Sequence, residues 1–283
     1  MGTLYLVATP IGNLEDITLR ALRVLREASL IAAEDTRRTG QLLAHFDIHP
    51  PTPLTSYFEH NKLTKLDEIL AALETGDVAL VSDAGTPGLS DPGYELVRAA
   101  LDAGHAVVPI PGASALLAAL VASGLPTDSF VYLGFLPRKE SDRRQLLAAQ
   151  AREPRTLVAF EAPHRLLDSL ADIETTLGDR PIAVARELTK VYEEIFRGAA
   201  SEARAHFGQK EILGEITLVI GGARPEAAPK WDEARVRAEV GRLIADGMKT
   251  KVAARLVAEL AGWAQRDVYR LASEKYASTQ VNK

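Results

Sequence analysis

Cysteine is absent from the 283 residues, which removes disulfide scaffolds, thiolate zinc sites, iron–sulfur clusters and cysteine nucleophiles from consideration. A chain without thiols suits a reducing compartment, and the cytoplasm is the expected location. No apolar run approaches the length of a bilayer crossing, and Met1–Ala8 reads as a short apolar strand without a basic leader. Neither export nor membrane insertion is expected. The first strand is not followed by Gly-x-Gly-x-x-Gly, and no Walker-type Gly-Lys-Ser/Thr occurs, which disfavours an ordinary dinucleotide fold and an NTPase. Repeats of fixed short period and low-complexity tracts are missing as well. Asp, Glu and His nowhere cluster at metal-ligand spacing, so no metal is expected, and the adjacent Glu34-Asp35 reads better as a helix start capped by Asp35 or Thr36.

What is present is an apolar share of 47%, enough for two domains with proper cores. The formal charge of -5 is unevenly spread. Residues 230–283 hold 11 Lys+Arg against 7 Asp+Glu, net +4, which leaves 22 against 31, net -9, for residues 1–229. An acidic body argues against indiscriminate coating of nucleic acid, while a basic tail permits local contact with a polyanion.

Through the first 120 or so residues, near-continuous apolar strands alternate with amphipathic helices, the pattern of a buried parallel sheet. Strands are expected at Leu4–Ala8, Leu30–Ala33, Val78–Ser82 and Ala106–Ile110. Gly124-Leu125-Pro126-Thr127-Asp128 breaks the pattern, after which strands at Phe130–Leu133, Thr156–Glu161, Ile182–Arg186 and Glu215–Ile220 indicate a second α/β unit. Gly221 to Pro229 reads as a linker. The domains expected are therefore 1–123 and 124–224, both α/β, followed by a helical 230–283. In that tail, stripes Val236/Val240/Leu243/Ile244, Val252/Leu256/Val257/Leu260 and Val268/Tyr269/Leu271 predict three short helices of helix-turn-helix type. A docking bundle is the plainer alternative.

In an open α/β sheet the ligand sits beyond the carboxyl ends of the strands. The turns there are Ala8 to Asp16, Glu34 to Arg37, Ser82 to Gly93, and Pro109 to Ser114. Any one of them is an ordinary turn. Four together, with glycines that admit close backbone approach and an acid such as Asp83 to hold a ribose hydroxyl or an amino group, suit a nucleoside.

Pro10-Ile11-Gly12-Asn13-Leu14, Ala33-Glu34-Asp35-Thr36-Arg37, the Ser82–Gly93 loop and Pro111-Gly112-Ala113-Ser114 resemble the tetrapyrrole-methylase superfamily. Gly134-Phe135-Leu136-Pro137-Arg138-Lys139, Phe160 to Leu166, Ala185 to Lys190 and Arg197-Gly198 are similar to its branch that methylates ribosomal RNA, and the resemblance spans essentially the whole chain. It implies two α/β domains with a cleft between them that holds folded S-adenosylmethionine. It further implies 2′-O-methylation of a cytidine ribose in small-subunit (16S) ribosomal RNA, free or in the assembled small subunit, by a homodimer. Carried over, cofactor contacts fall on Pro10, Asp83, Gly85, Thr86, Ala113, Ser114, Ala185 and Glu215. Ser82-Asp83-Ala84 stands where many members have Gly-Asp-Pro.

For the reaction itself the candidates are His164, Arg186, Glu187 and Lys190. His164 is alternatively a helix cap, and Arg186-Glu187 alternatively a structural ion pair. Lys190, if lowered in pKa by neighbouring cations, would take a proton or steady the 2′-oxyanion. Arg138, Lys139, Arg143 and Arg144, expected in a loop, are candidates for phosphate contact, as are Lys249 and Lys251 in the tail. Two other readings stay open: a small-molecule methylase of the tetrapyrrole type, and a helix-turn-helix regulator that senses a nucleoside.

Overall fold

The computed structural model describes residues 2–49, 54–209, 211–223 and 231–280, the last seven of these by backbone alone. Most of the expected linker, and the last three residues of the tail, lie outside the described residues.

The chain opens with strand β1 (Thr3–Val7), helix α1 (Leu19–Glu27), β2 (Leu30–Ala33), α2 (Thr36–His45), the short β3 (Thr55–Ser56) and α3 (Leu66–Thr75). It continues with β4 (Val78–Val81), α4 (Tyr94–Asp102), β5 (Ala106–Ile110) and α5 (Ala115–Ala122). The strands form one sheet in the order β3-β2-β4-β1-β5, every neighbour parallel. β4 is buried along its full length, because helices cover both faces and leave no solvent side to alternate toward. Apolar clusters flank the sheet: Leu22, Leu25 and Ile31 with Val81 in one, Leu4, Ile69, Leu73 and Leu96 in the other. The strand ends are level, with Val7 opposite both Val81 and Ile110, and Ala33 opposite Val81. That register brings the loops after β1, β2, β4 and β5 out side by side.

Helix starts follow local chemistry. Thr18 caps α1 by accepting from the Ala21 amide, Asp35 caps α2 through the Arg37 amide, and Ser114 caps α5 through the Leu117 amide. Helix α2 was not visible as a pattern, since only Thr39 and Leu43 of its ten residues are buried.

The second sheet comprises β6 (Phe130–Phe135), β7 (Thr156–Glu161), β8 (Pro181–Arg186), β9 (Glu194–Ala199) and β10 (Ile216–Ile220), in the order β6-β7-β10-β8-β9. Only β6 and β7 run parallel, the remaining pairs being antiparallel. Helices α6 (Glu140–Ala149), α7 (Leu166–Leu177) and α8 (Ala200–Phe207) cover one face, around Leu147, Leu170, Ile173 and Phe207. Edge strand β9 escapes sequence reading because none of its residues is buried and its faces do not alternate. Antiparallel pairing sets Glu161 and Arg186 opposite Ile216, and Arg186 opposite Glu194, so two strand exits and two strand entries share one edge.

Helix α5, apolar all round, places Leu116 and Leu120 against Val158, Ala183 and Val219 of the second sheet. Both sheets belong to one compact unit that runs through Ala223. The second unit holds α9 (Glu233–Ala245), α10 (Thr250–Ala261) and α11 (Gln265–Gln280). Its core is Val236, Val240, Ala253, Ala254, Val257, Ala261, Val268 and Leu271. The expected α10 stripe is corrected here: Val257 faces the core with small alanines, while Val252, Leu256 and Leu260 stay 39%, 36% and 59% exposed. Among the described residues no helix is long and apolar enough to cross a membrane.

Candidate cofactor and acceptor site

Where the level loops of the first sheet meet the shared edge of the second lies a cavity of about 420 Å³. Its apolar walls are Ile11, Leu116, Phe160, Leu188 and Ile216, and its polar wall is Glu34, Asp83, Asp91 and Glu215. The loops that form it are bonded to one another. Thr9 and Gly85 exchange both backbone hydrogen bonds, at 2.9 and 3.0 Å, and the Thr9 hydroxyl donates to the Ser82 carbonyl. The Asp83 amide donates to Glu34 Oε2 at 3.1 Å while the Asp35 amide donates to Asp83 Oδ1 at 3.0 Å, so the ends of β2 and β4 clasp each other. Arg38 completes the clasp at 3.4 Å from Asp83 Oδ2. Asp35 turns away to cap α2 and pairs with Arg37, so Glu34 and Asp35 do not act as a pair. Among the described residues no three His, Cys, Asp or Glu are grouped to hold a metal.

Asp91 has a different setting. It follows Ser90, which is left-handed at φ 65° and shares a 2.6 Å hydrogen bond with the Tyr132 hydroxyl of the second sheet. The loop is thus bolted across the cleft. Burial pushes the Asp91 carboxyl up to about 7; the nearby Glu34 and Asp83 charges add to this, and a hydrogen bond from Ser82 offsets part of it. Burial also raises Glu34, against the Asp83 amide that stabilises its charge.

On the second sheet's edge, Glu187 (φ 53°) and Thr189 (φ 68°) are left-handed, and a turn between them and β9 is fixed by the Thr189 amide donating to Glu193 at 2.7 Å. Lys190 Nζ donates to Glu187 Oε1 at 2.7 Å and Glu215 Oε2 at 3.1 Å. The expectation of a lowered lysine is reversed. Burial alone would depress the ammonium, but the two carboxylates outweigh it and hold Lys190 above the ordinary lysine value. Lys190 lies over the first loop, where a Cβ on Gly12 would stand 2.4 Å from Lys190 Cγ. Only glycine leaves room for that approach.

Of the expected cofactor residues, Asp83, Gly85, Thr86, Ser114, Ala185 and Glu215 line the cavity. Pro10 lines an adjoining hollow together with Lys190, and Ala113 stands behind the wall, its carbonyl accepting from the Thr86 hydroxyl at 3.4 Å. Arg186 does not pair with Glu187; it binds Glu194 at 3.1 Å and the Leu213 carbonyl. His164 sits in a short 3-10 turn, caps nothing, and lines a separate hollow with Arg138. The basic run is corrected twice. Arg143 and Arg144 lie on α6 and not in a loop, and Arg143 is 4% exposed, bound to the buried Asp172 at 2.6 Å. Its charge is consumed inside the fold and is not available to a phosphate. Arg144 shares Asp172. Lys249 and Lys251 are exposed at the start of α10.

Asp91, Arg38, Phe135 and Phe160 also line the cavity and were not among the residues expected there. Asp91 was within reach, since the Ser82–Gly93 loop is too long for a connector and carries a second Asp. The aromatic pair had no local signal.

The family model for tetrapyrrole (corrin/porphyrin) methylases matches residues 3–204. The chain belongs to the tetrapyrrole methylase family. Its cofactor is S-adenosylmethionine, and the cavity suits that group. The acids complement a sulfonium and an ammonium, and the apolar walls can face an adenine. A ribosomal RNA small subunit methyltransferase I of Synechocystis sp. is 52% identical over 97% of this chain and 98% of its own. The protein of that name from Escherichia coli O157:H7 is 48% identical over 97% and 96%. A Thermotoga maritima relative, 52% identical, matches 223 residues, 78% of this chain and 99% of itself. Among solved structures of the same fold, uroporphyrin-III C-methyl transferase from Thermus thermophilus complexed with S-adenosyl homocysteine gives TM-score 0.53 at 24% identity, over 78% of this chain and 97% of its own. A diphthine synthase gives 0.61 at 14% identity, over 78% and 90%. Structures this distant show a shared fold, and fold alone does not carry a function.

Proposed function

We propose that this tetrapyrrole methylase transfers a methyl group from S-adenosylmethionine to small-subunit ribosomal RNA, at the 2′-hydroxyl of a cytidine. The reading rests on the names of full-length relatives together with one observation, an acid-walled cavity at the junction of the two sheets with a fixed ammonium beside it. The protein acts in the cytoplasm, as a homodimer; the α/β regions 1–123 and 124–224 together hold the cofactor, and the helical region 230–283 contributes to RNA binding.

S-adenosylmethionine supplies an electrophilic methyl on sulfur. Asp83, Gly85, Thr86, Ser114, Ala185 and Glu215 hold it, and the acids balance its positive charges. A ribose hydroxyl is a poor nucleophile until its proton has somewhere to go. Of the cavity carboxylates, Asp83 is tied to Arg38 and an amide, Glu34 to an amide, Glu161 to Arg165, and Glu215 to Lys190. Among the described residues Asp91 pairs with no cation and is held by the Ser82 hydroxyl. Its oxygen takes the acceptor's proton, and a carboxylate poised near neutral pH is matched to that task. Lys190, kept as a cation by Glu187 and Glu215, steadies the developing negative charge.

Tritiated cofactor incubated with small ribosomal subunits, free ribosomal RNA and a tetrapyrrole tests the reading. Label in the RNA on a ribose methyl is the expected result. Label only in the tetrapyrrole, or tight DNA binding with no transfer, would replace it with one of the other readings.

A further inference from the structure

Beside the cofactor cavity, and sharing Phe135 and Ala162 with it, is an open hollow of about 670 Å³ lined also by Leu136, Pro137, Arg138, His164 and Arg165. Its form begins with one residue. Gly134 is left-handed at φ 68°, and the β6–β7 register slips there: Tyr132 pairs Val158, then Phe135 pairs Phe160. An extra residue on β6 re-phases the alternation of faces. Tyr132 and Phe135, which a regular strand would send to opposite faces, therefore both meet the Phe160 ring, at 5.5 and 5.4 Å. Phe135 remains 56% exposed at the boundary of the two spaces.

The charges around it sort themselves by pairing. Lys139 pairs with Asp142, Arg143 and Arg144 with Asp172, and Arg165 with Glu161. Arg138 and His164 have no acidic partner among the described residues, and both line the hollow. An exposed aromatic ring, apolar walls and two unpaired nitrogen-bearing side chains are the elements with which proteins hold a single-stranded nucleotide, the base on the ring and the phosphate on the donors.

We propose that this hollow is a second nucleotide site, taking the RNA residue adjacent to the methylated one, with its base against Phe135 and its phosphate on Arg138 and His164. The inference rests on the RNA reading above and gives His164 a part in binding. The hollow and the cavity share Phe135 and Ala162 as walls, and that adjacency is what makes the occupant a neighbour of the acceptor.

The test measures binding of the full chain to small ribosomal subunits and to a mixed-sequence single-stranded RNA dodecamer, with S-adenosylmethionine affinity followed by calorimetry. Arg138→Ala and His164→Gln, neither of which touches the cofactor cavity, should leave cofactor affinity within about twofold. Each should weaken RNA binding by roughly tenfold, and Arg138→Ala should reduce the salt slope by about one. Phe135→Leu, which keeps an apolar side chain without a ring, should weaken RNA binding by a similar factor. Undiminished RNA affinity in all three variants overturns the proposal while leaving the RNA reading intact. Failure of the unaltered protein to bind either RNA removes both. Cytidine monophosphate or inorganic phosphate binding as tightly as the dodecamer, with the same dependence on Arg138, would assign the hollow to a free small molecule and overturn its RNA role.

Discussion

Asp91 has an environment that raises its pKa to about 7, whereas an unfolded aspartate titrates near 3.9. Between those values the folded state holds the extra proton, so stability falls as pH rises from about 4 to about 7, and the cost persists above that. Asp91→Asn cannot ionise and escapes this loss, so its melting temperature should exceed the parent's at pH 8 and approach it at pH 4. Activity should move the opposite way. Methyl transfer by the parent should climb about tenfold per pH unit below 7 and level off above, while Asp91→Asn should lose roughly 10²- to 10⁴-fold and the slope with it. A parent rate that is flat from pH 5.5 to 8.5 would exclude Asp91 as the proton acceptor. Lys190 offers a second test through its neighbour. Gly12→Ala puts a methyl into the Lys190 side chain, so it should lower the transfer rate at least tenfold with cofactor affinity retained in calorimetry. Neither the raised acid nor the fixed ammonium was legible in the sequence. The burial of Asp91 is set by packing, Glu34 lies far from it along the chain as Glu215 does from Lys190, and Coulomb interactions depend on distances in space.

Helix α6 illustrates how an element reassigns its residues. Read along the chain, Arg138 to Arg144 is one basic run. Folded, it starts a helix whose inner face carries Arg143 to Asp172 of α7, with side chains 5% and 3% exposed. Removing Arg143 leaves the buried Asp172 carboxylate with Arg144 as its remaining cation, so Arg143→Ala should cost about 3 kcal/mol or somewhat less by chemical denaturation, below the loss expected for a fully stranded charge. Arg138→Ala, on an exposed side chain, should cost less than about 0.5 kcal/mol. If Arg143→Ala instead weakens RNA binding at unchanged stability, the assignment of Arg143 to the interior fails. Strands behaved differently from helices in what they revealed. Fully covered strands were plain, β4 as an unbroken apolar run and β10 as one interrupted by Thr217 alone, whereas β9 and the two-residue β3 were not. An edge strand has too few buried positions to impose a pattern. The extra residue at Gly134 was equally hidden, because a bulge is defined by what the neighbouring strand does.

For the molecule as a whole, the two units divide the charge: the α/β unit is acidic and the helical unit basic. The Thermotoga maritima relative, at 223 matched residues, is the size of the first unit alone. Deleting residues 232–283 should therefore leave cofactor affinity within about twofold and weaken RNA binding with a shallower salt dependence. Equal RNA affinity with and without the tail would return it to a purely structural role. By itself the sequence determined the alternation of strands and helices, the first parallel sheet, the loops that bear ligand-binding residues, and the family, because these depend on short-range periodicity and on strings of adjacent residues. Tertiary structure alone decided which carboxylate is free to take a proton, which arginines are already neutralised, and which rings meet at the cavity's edge. Such properties belong to pairs brought together by sheet register and helix packing, as Arg143 is to Asp172 and Phe135 to Phe160, whose members lie far apart along the chain.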